Sequence, residues 1–145
     1  MEDQMKSLSF TIGWVLLLIL GVAIAGAGLA SLMVAYRGAN DRIAEIGFET
    51  MARMDPDLPN AIRGRRATAA TWAISCGLLL CWIALTAFRR GEKWAWLAVG
   101  TSLGAGCLLS LLRVPILELR AGAAAAGIVL GILVVALFVS YRNFK

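Results

Sequence analysis

Four stretches of this chain contain no Asp, Glu, Lys or Arg, and they run over 7–36, 67–88, 94–112 and 121–141. They hold 30, 22, 19 and 21 residues. Each is long enough to cross about 30 Å of hydrocarbon as a helix rising about 1.5 Å per residue. Backbone polar groups in lipid must pair internally, so a spanning segment is either a helix or a strand of a closed barrel. Continuous apolar runs without alternation select the helix. A content of 60% hydrophobic and 16% charged residues agrees, since soluble domains carry roughly a quarter charged residues. The reading is an all-α membrane protein: four transmembrane helices in a compact bundle, one domain over 1–145. The spans fall at about 9–36, 67–88, 94–112 and 121–141, with a polar loop at 37–66. Ala25-Gly26-Ala27 resembles a signal-peptide cleavage site. Yet "MEDQMK" carries two acids against one Lys and the apolar run continues through "LASLMVAY", so an uncleaved first span is expected.

"FRRGEKWAW", at 88–96, lies between the second and third runs. Arg89-Arg90-Gly91-Glu92-Lys93 reads as a tight turn with Gly91 supplying backbone freedom, and a link this short makes its two helices antiparallel neighbours. Trp94 and Trp96 fall where the third helix enters the bilayer, the depth that amphipathic rings favour. Arg89, Arg90, Lys93, Trp94 and Trp96 are thus interfacial anchors. In "RVPILELR", Glu118 between Arg113 and Arg120 reads as an interfacial ion pair, with a coupling carboxylate as the alternative. The matching "VAYR" and "VSYR" that close the first and fourth spans are a further pair of interfacial anchors.

The loop at 37–66 is the one sizeable piece outside the spans. Asn40 or Asp41 is placed to cap a short amphipathic helix whose apolar face is Ile43, Ile46, Met51 and Met54. Arg42, Glu45, Glu49 and Arg53 form its other face, with Glu49 and Arg53 a favourable i, i+4 pair. Asp55-Pro56-Asp57-Leu58-Pro59 ends it. Such a helix lies on the membrane surface or folds over helix ends, and a lid or docking surface is its sharper reading. The first run is longer than a bilayer needs, so its helix must tilt or project.

Helices in lipid associate by close approach, which small residues permit. Gly100 and Gly104 form such a seam on the third span, Ala123, Gly127 and Gly131 on the fourth, and Gly21, Ala25 and Gly28 on the first. They bury against one another or against a partner subunit. On the second span Trp72, Ser75, Leu79, Trp82 and Thr86 follow steps of three and four and share one helix face. Core or belt packing is the plainer reading of that stripe. A pocket for a lipid, quinone or pigment tail between the helices, lined by Trp72, Ser75, Trp82 and Thr86, is the sharper one.

Chemistry is scarce. No His is present, which removes the usual general base, His-ligated haem and the common zinc sites. With no ionisable carboxylate inside any run, no proton relay crosses the bilayer centre. Cys76 and Cys81 are five apart, about 140° around a helix, and cannot pair within it. Cys76 and Cys107 are level across the hairpin and a redox pair is conceivable. Without a Cys-x-x-Cys, buried packing is the plainer role. No catalytic residue, cofactor or metal is expected. The net charge of +5 is spread over loops and tails, which argues for lipid headgroups as the anionic contact and against nucleic acid.

The basic-Gly-Glu-basic-Trp-Ala-Trp hairpin, together with the Asp55-Pro56 segment of the first loop, resembles small bacterial four-span membrane proteins that share this turn between their second and third helices. The resemblance covers about 39–100, implies a bacterial inner-membrane protein with four helices, and carries no activity with it. Small multidrug transporters are of similar size but use a carboxylate inside the first span, and four-helix thiol oxidoreductases need a Cys-x-x-Cys; this chain has neither.

The expected function is therefore non-catalytic: an accessory or structural subunit of a larger membrane complex, in contact with lipids and with other subunits or copies of itself. The alternative is a binding or transport protein for an apolar or amphipathic ligand. An enzyme is the least favoured reading, restricted to a thiol at Cys76 or Cys107 or a surface carboxylate at Glu45, Glu49 or Glu118. With four spans, both ends share one side, and that side collects six cations against eight on the other, so the positive-inside rule is nearly silent. The dense hairpin and basic tail favour cytoplasmic ends. Reporters fused at the carboxyl end and within the hairpin are expected to give cytoplasmic signals, and one at the 37–66 loop an external signal.

Overall fold

All four charge-free runs are helical. The structure, a computed structural model, describes residues 2–37, 42–43, 46–117, 122–141 and 144. Helix α1 spans Glu2–Arg37, α2 Phe48–Met54, α3 Leu58–Ile83, α4 Lys93–Leu117 and α5 Ala123–Ser140. Strands β1 (Arg42–Ile43) and β2 (Ile46–Gly47) precede α2, and α3 runs on into a π-helical turn over Ala84–Phe88. Four segments are long and apolar enough to cross a membrane: Phe10–Arg37, Leu58–Phe88, Lys93–Ile116 and Ala123–Ser140. The chain is an all-α, multi-pass membrane protein.

The first loop departs from expectation. Its amphipathic helix is short, Phe48–Met54, and does not begin near residue 41. In its place β1 and β2 pair antiparallel, with Arg42 opposite Gly47 and Ile43 opposite Ile46. Met51 is buried while Met54 is exposed, so only one of these two apolar positions packs. Asn40, Asp41 and Glu45 lie outside the described residues.

The spans also reach further than their charge-free cores. Asp55 Oδ1 accepts the Asp57 N–H at 2.9 Å, and the Asp57 carbonyl accepts the Ala61 N–H at 3.0 Å. That turn starts α3 at Leu58, with Pro59 in the first turn, where its missing N–H is not needed. Arg63, Arg65 and Arg66 therefore ride on helix rather than loop. Helix α4 likewise continues past residue 112 to Leu117, with Pro115 near its end. The Glu118 and Arg120 pairing lies outside the described residues.

The chain divides into two packed units, Met1–Gly21 with Leu79–Lys145, and Val22–Leu78. In the first, α1 and α5 meet backbone to backbone. A Cβ added at Gly13 would lie 2.8 Å from the Ser140 Cβ and 3.2 Å from the Ala136 carbonyl oxygen. Ser140 is fully buried there and donates to the Ala136 carbonyl at 2.6 Å. Leu17, Leu133, Val99 and Phe88 fill the same interior. In the second unit Gly28 plays the equivalent part: its Cβ would lie 2.8 Å from Ile74 Cγ1 and 3.0 Å from the Ala70 carbonyl. Nearby, Arg66 Nε donates to Ser31 Oγ at 3.2 Å.

Size, more than polarity, decides which residues face inward. Among the described residues, seven of fifteen buried apolar side chains are alanines, while Ile19, Val22, Leu78, Leu109 and Phe138 face out. Lipid tails are as apolar as leucine, so burial of a large side chain gains little, and close backbone approach gains dispersion contacts. The glycine seams split accordingly. Ala25 and Gly28 are packed, and a Cβ on Gly100 would touch Leu137 at 3.2 Å, but Gly104, Gly127 and Gly131 have nothing within 4 Å.

Replacing Gly13 with Leu should destabilise the protein by at least the about 1–3 kcal/mol typical of overpacking, because backbone is among the atoms it would strike. Gly26→Leu, into open space, should fall within about 0.5 kcal/mol of wild type. Thermal unfolding in one mild detergent compares the two.

Candidate functional site

The π turn, the hairpin and the end of α5 converge in the first unit. Arg89 N–H reaches back five residues to the Ala84 carbonyl at 3.2 Å, the register of a π turn. Ala84, Ala87 and Phe88 all face inward from it. The helix then stops in a Schellman arrangement: Gly91 N–H bonds the Phe88 carbonyl at 2.9 Å and Glu92 N–H the Ala87 carbonyl at 3.1 Å. This requires left-handed backbone at Gly91, whose φ is 74°, as its sequence setting predicts.

Around that turn the aromatic residues form two groups. Phe88, 0% exposed, stacks on Phe10 with centroids 6.4 Å apart and meets Phe144 edge-on at 4.7 Å. Phe144 also meets Phe10 at 5.8 Å, closing a triangle. The guanidinium of Arg89 lies 5.5 Å from the centre of the Trp14 ring, a cation–π contact that tethers the hairpin to α1. Glu92 accepts the indole N–H of Trp94, which explains the single acid among the hairpin cations.

Trp96 is held differently. Its indole N–H donates to the Leu137 carbonyl at 3.1 Å, and its ring lies 5.9 Å from that of Tyr141. The carbonyl is available because Tyr141 N–H bonds Phe138, three residues back, where α5 tightens at its end. Lys93, Trp96, Leu97, Tyr141 and Phe144 together line an open recess of about 170 Å³. The anchors foreseen in sequence thus separate: Trp94 and the exposed Arg90 lie at the hairpin surface, whereas Trp96 and Lys93 help to build a concavity.

The other stripe is exposed on α3. Trp72 and Trp82 are 69% and 70% exposed, and Ser75 and Leu79 are exposed as well. The stripe faces outward, the setting of the belt packing that its plainer reading gives. Thr86 Oγ donates back to the Trp82 carbonyl at 2.6 Å, so that hydroxyl is used within its own helix. The three cysteines are free thiols in dissimilar settings: Cys76 is exposed, Cys81 partly buried near the Leu18 carbonyl, and Cys107 buried. Among the described residues no cluster of three Cys, Asp or Glu side chains could hold a metal ion.

Sequence reasoning missed the phenylalanine triangle, the Gly13 contact and the recess. The small residues Ala136 and Ser140, four apart, were a legible sign of the second; the other two join positions far apart in the chain and had no local sign. No protein-family model, curated protein or solved structure matches the chain.

Trp96→Phe keeps an aromatic ring but trims the indole and removes the bond to Leu137. A loss of at least about 1 kcal/mol is expected, the net value of one such hydrogen bond, read from thermal unfolding in detergent against Trp94→Phe, which trims an exposed indole and its bond to Glu92.

Proposed function

We propose that the chain is a non-catalytic accessory or structural subunit of a larger assembly in the inner membrane of a bacterium, with both termini cytoplasmic. The observation that carries this reading is the outer face of α5. Gly127 and Gly131 are exposed with nothing within 4 Å of an added Cβ, and Ile128, Val135 and the 81%-exposed Phe138 flank them. Close approach of a second helix is what a pair of glycines four apart permits in lipid, and the chain's own helices leave this pair unused. The open Gly104 on α4 adds to the same argument. Absence of His and the dissimilar settings of the three thiols support a role without catalysis. The outward Trp72 and Trp82 suit contact with lipid or a neighbouring subunit better than a ligand enclosed between helices.

The test is native mass spectrometry of protein extracted from its own host membrane in a mild detergent. Partners at fixed stoichiometry are expected for wild type. A Gly127→Leu, Gly131→Leu double variant should lose them while unfolding at the wild-type temperature, since neither leucine meets the chain itself. A wild-type chain that emerges alone as a monomer would overturn the proposal.

A further inference from the structure

The recess between the start of α4 and the end of α5 combines three properties that bear on its occupant. One is charge. Lys93, exposed at the start of α4, is the cation among the lining residues, and the neighbouring acid, Glu92, directs its carboxylate to the Trp94 indole. Another is the chemistry of the walls. Leu97 and the rings of Trp96, Tyr141 and Phe144 are apolar surface, and the one indole donor there is already bonded to Leu137. The last is size. About 170 Å³ is well short of the about 300–1,000 Å³ of pockets that enclose a whole small ligand.

A site of that size holds part of a molecule, and the remainder must lie outside it. Lys93 opens one apolar span and Tyr141 follows another, so the recess sits where the membrane meets water. We infer that it seats an anionic phospholipid, with the headgroup phosphate at Lys93 and the upper acyl segment against Trp96, Leu97 and Tyr141. The chains continue into the surrounding bilayer. Zwitterionic lipids carry the same phosphate, but their own cation competes for it. The site therefore discriminates by net headgroup charge. Arg89 and Arg90, in the same hairpin, add to the positive potential that draws an anionic headgroup toward this edge.

The inference is tested on the full chain in mild detergent by titrating phosphatidylglycerol and phosphatidylcholine of identical acyl chains and counting bound lipids by native mass spectrometry. Wild type should bind one phosphatidylglycerol about fivefold more tightly than phosphatidylcholine, the discrimination one interfacial Lys supplies. Lys93→Gln, at an exposed position, should cut that preference several-fold, leaving only what Arg89 and Arg90 supply. Tyr141→Leu should weaken both lipids together, because it removes a wall and not the charge. Arg53→Gln, in the other unit, serves as the control and should leave the preference intact. A preference unchanged in Lys93→Gln would overturn the assignment. So would displacement of the lipid by millimolar glycerol phosphate, which would make the ligand a soluble phosphate.

Discussion

The approach of α1 to α5 at Gly13 is the contact on which the rest of the first unit depends. A hydrogen atom at that position lets the backbone come against Ala136 and Ser140 at about van der Waals distance. Ser140 tolerates full burial because its hydroxyl bonds the carbonyl four residues earlier, so no polar group is left unsatisfied in lipid. With α5 held there, Leu137 presents its carbonyl to Trp96, and α4 is tied to the same helix by an indole hydrogen bond. Phe144, just beyond α5, then reaches Phe88 and Phe10. A short chain of contacts thus links α1, α4, α5 and the π turn at one end of the unit.

The π turn has a physical reason in this setting. One extra residue within a helical turn rotates every side chain that follows, and here it brings Ala84, Ala87 and Phe88 to the interior just before the chain must reverse. The Schellman ending then satisfies the carbonyls of Ala87 and Phe88 with the N–H groups of Glu92 and Gly91. Such pairing closes the helix end where the chain leaves its apolar span. The charged hairpin is consequently an ordered structure, with Arg89 on an aromatic face and Glu92 on an indole, and not merely a hydrophilic loop.

The glycine face of α5 and the tryptophan stripe of α3 are among the apolar surfaces that remain outside these contacts. In a soluble protein, exposed large hydrophobic residues in such number would signal an interface. In lipid they are the ordinary outer surface, and among the described helices α5 is set apart by two open glycines four residues apart. The recess at Lys93 differs in kind, because a cation and aromatic walls meet there in one concavity.

The four long apolar helices and the reversal at Gly91 were legible in the residues, because each follows from local composition. Charge-free runs of bilayer-crossing length favour spanning helices, and a glycine among cations between two such runs favours a turn. The start of α3 at Leu58 was harder to read. Arginines suggested loop, yet the Asp55–Asp57 turn launches helix beneath them. Inward and outward faces could not be read from hydrophobicity, since the spans are apolar all round and lipid rewards neither face. That choice rests on shape: Gly13 and Gly28 pack while Gly127 and Gly131 do not, although the four look alike in sequence. Only the fold brings Phe10, Phe88 and Phe144 together, or sets Lys93 beside Tyr141. Those pairs are separated by tens of residues, and their meeting depends on helix rotations that dispersion and close packing decide.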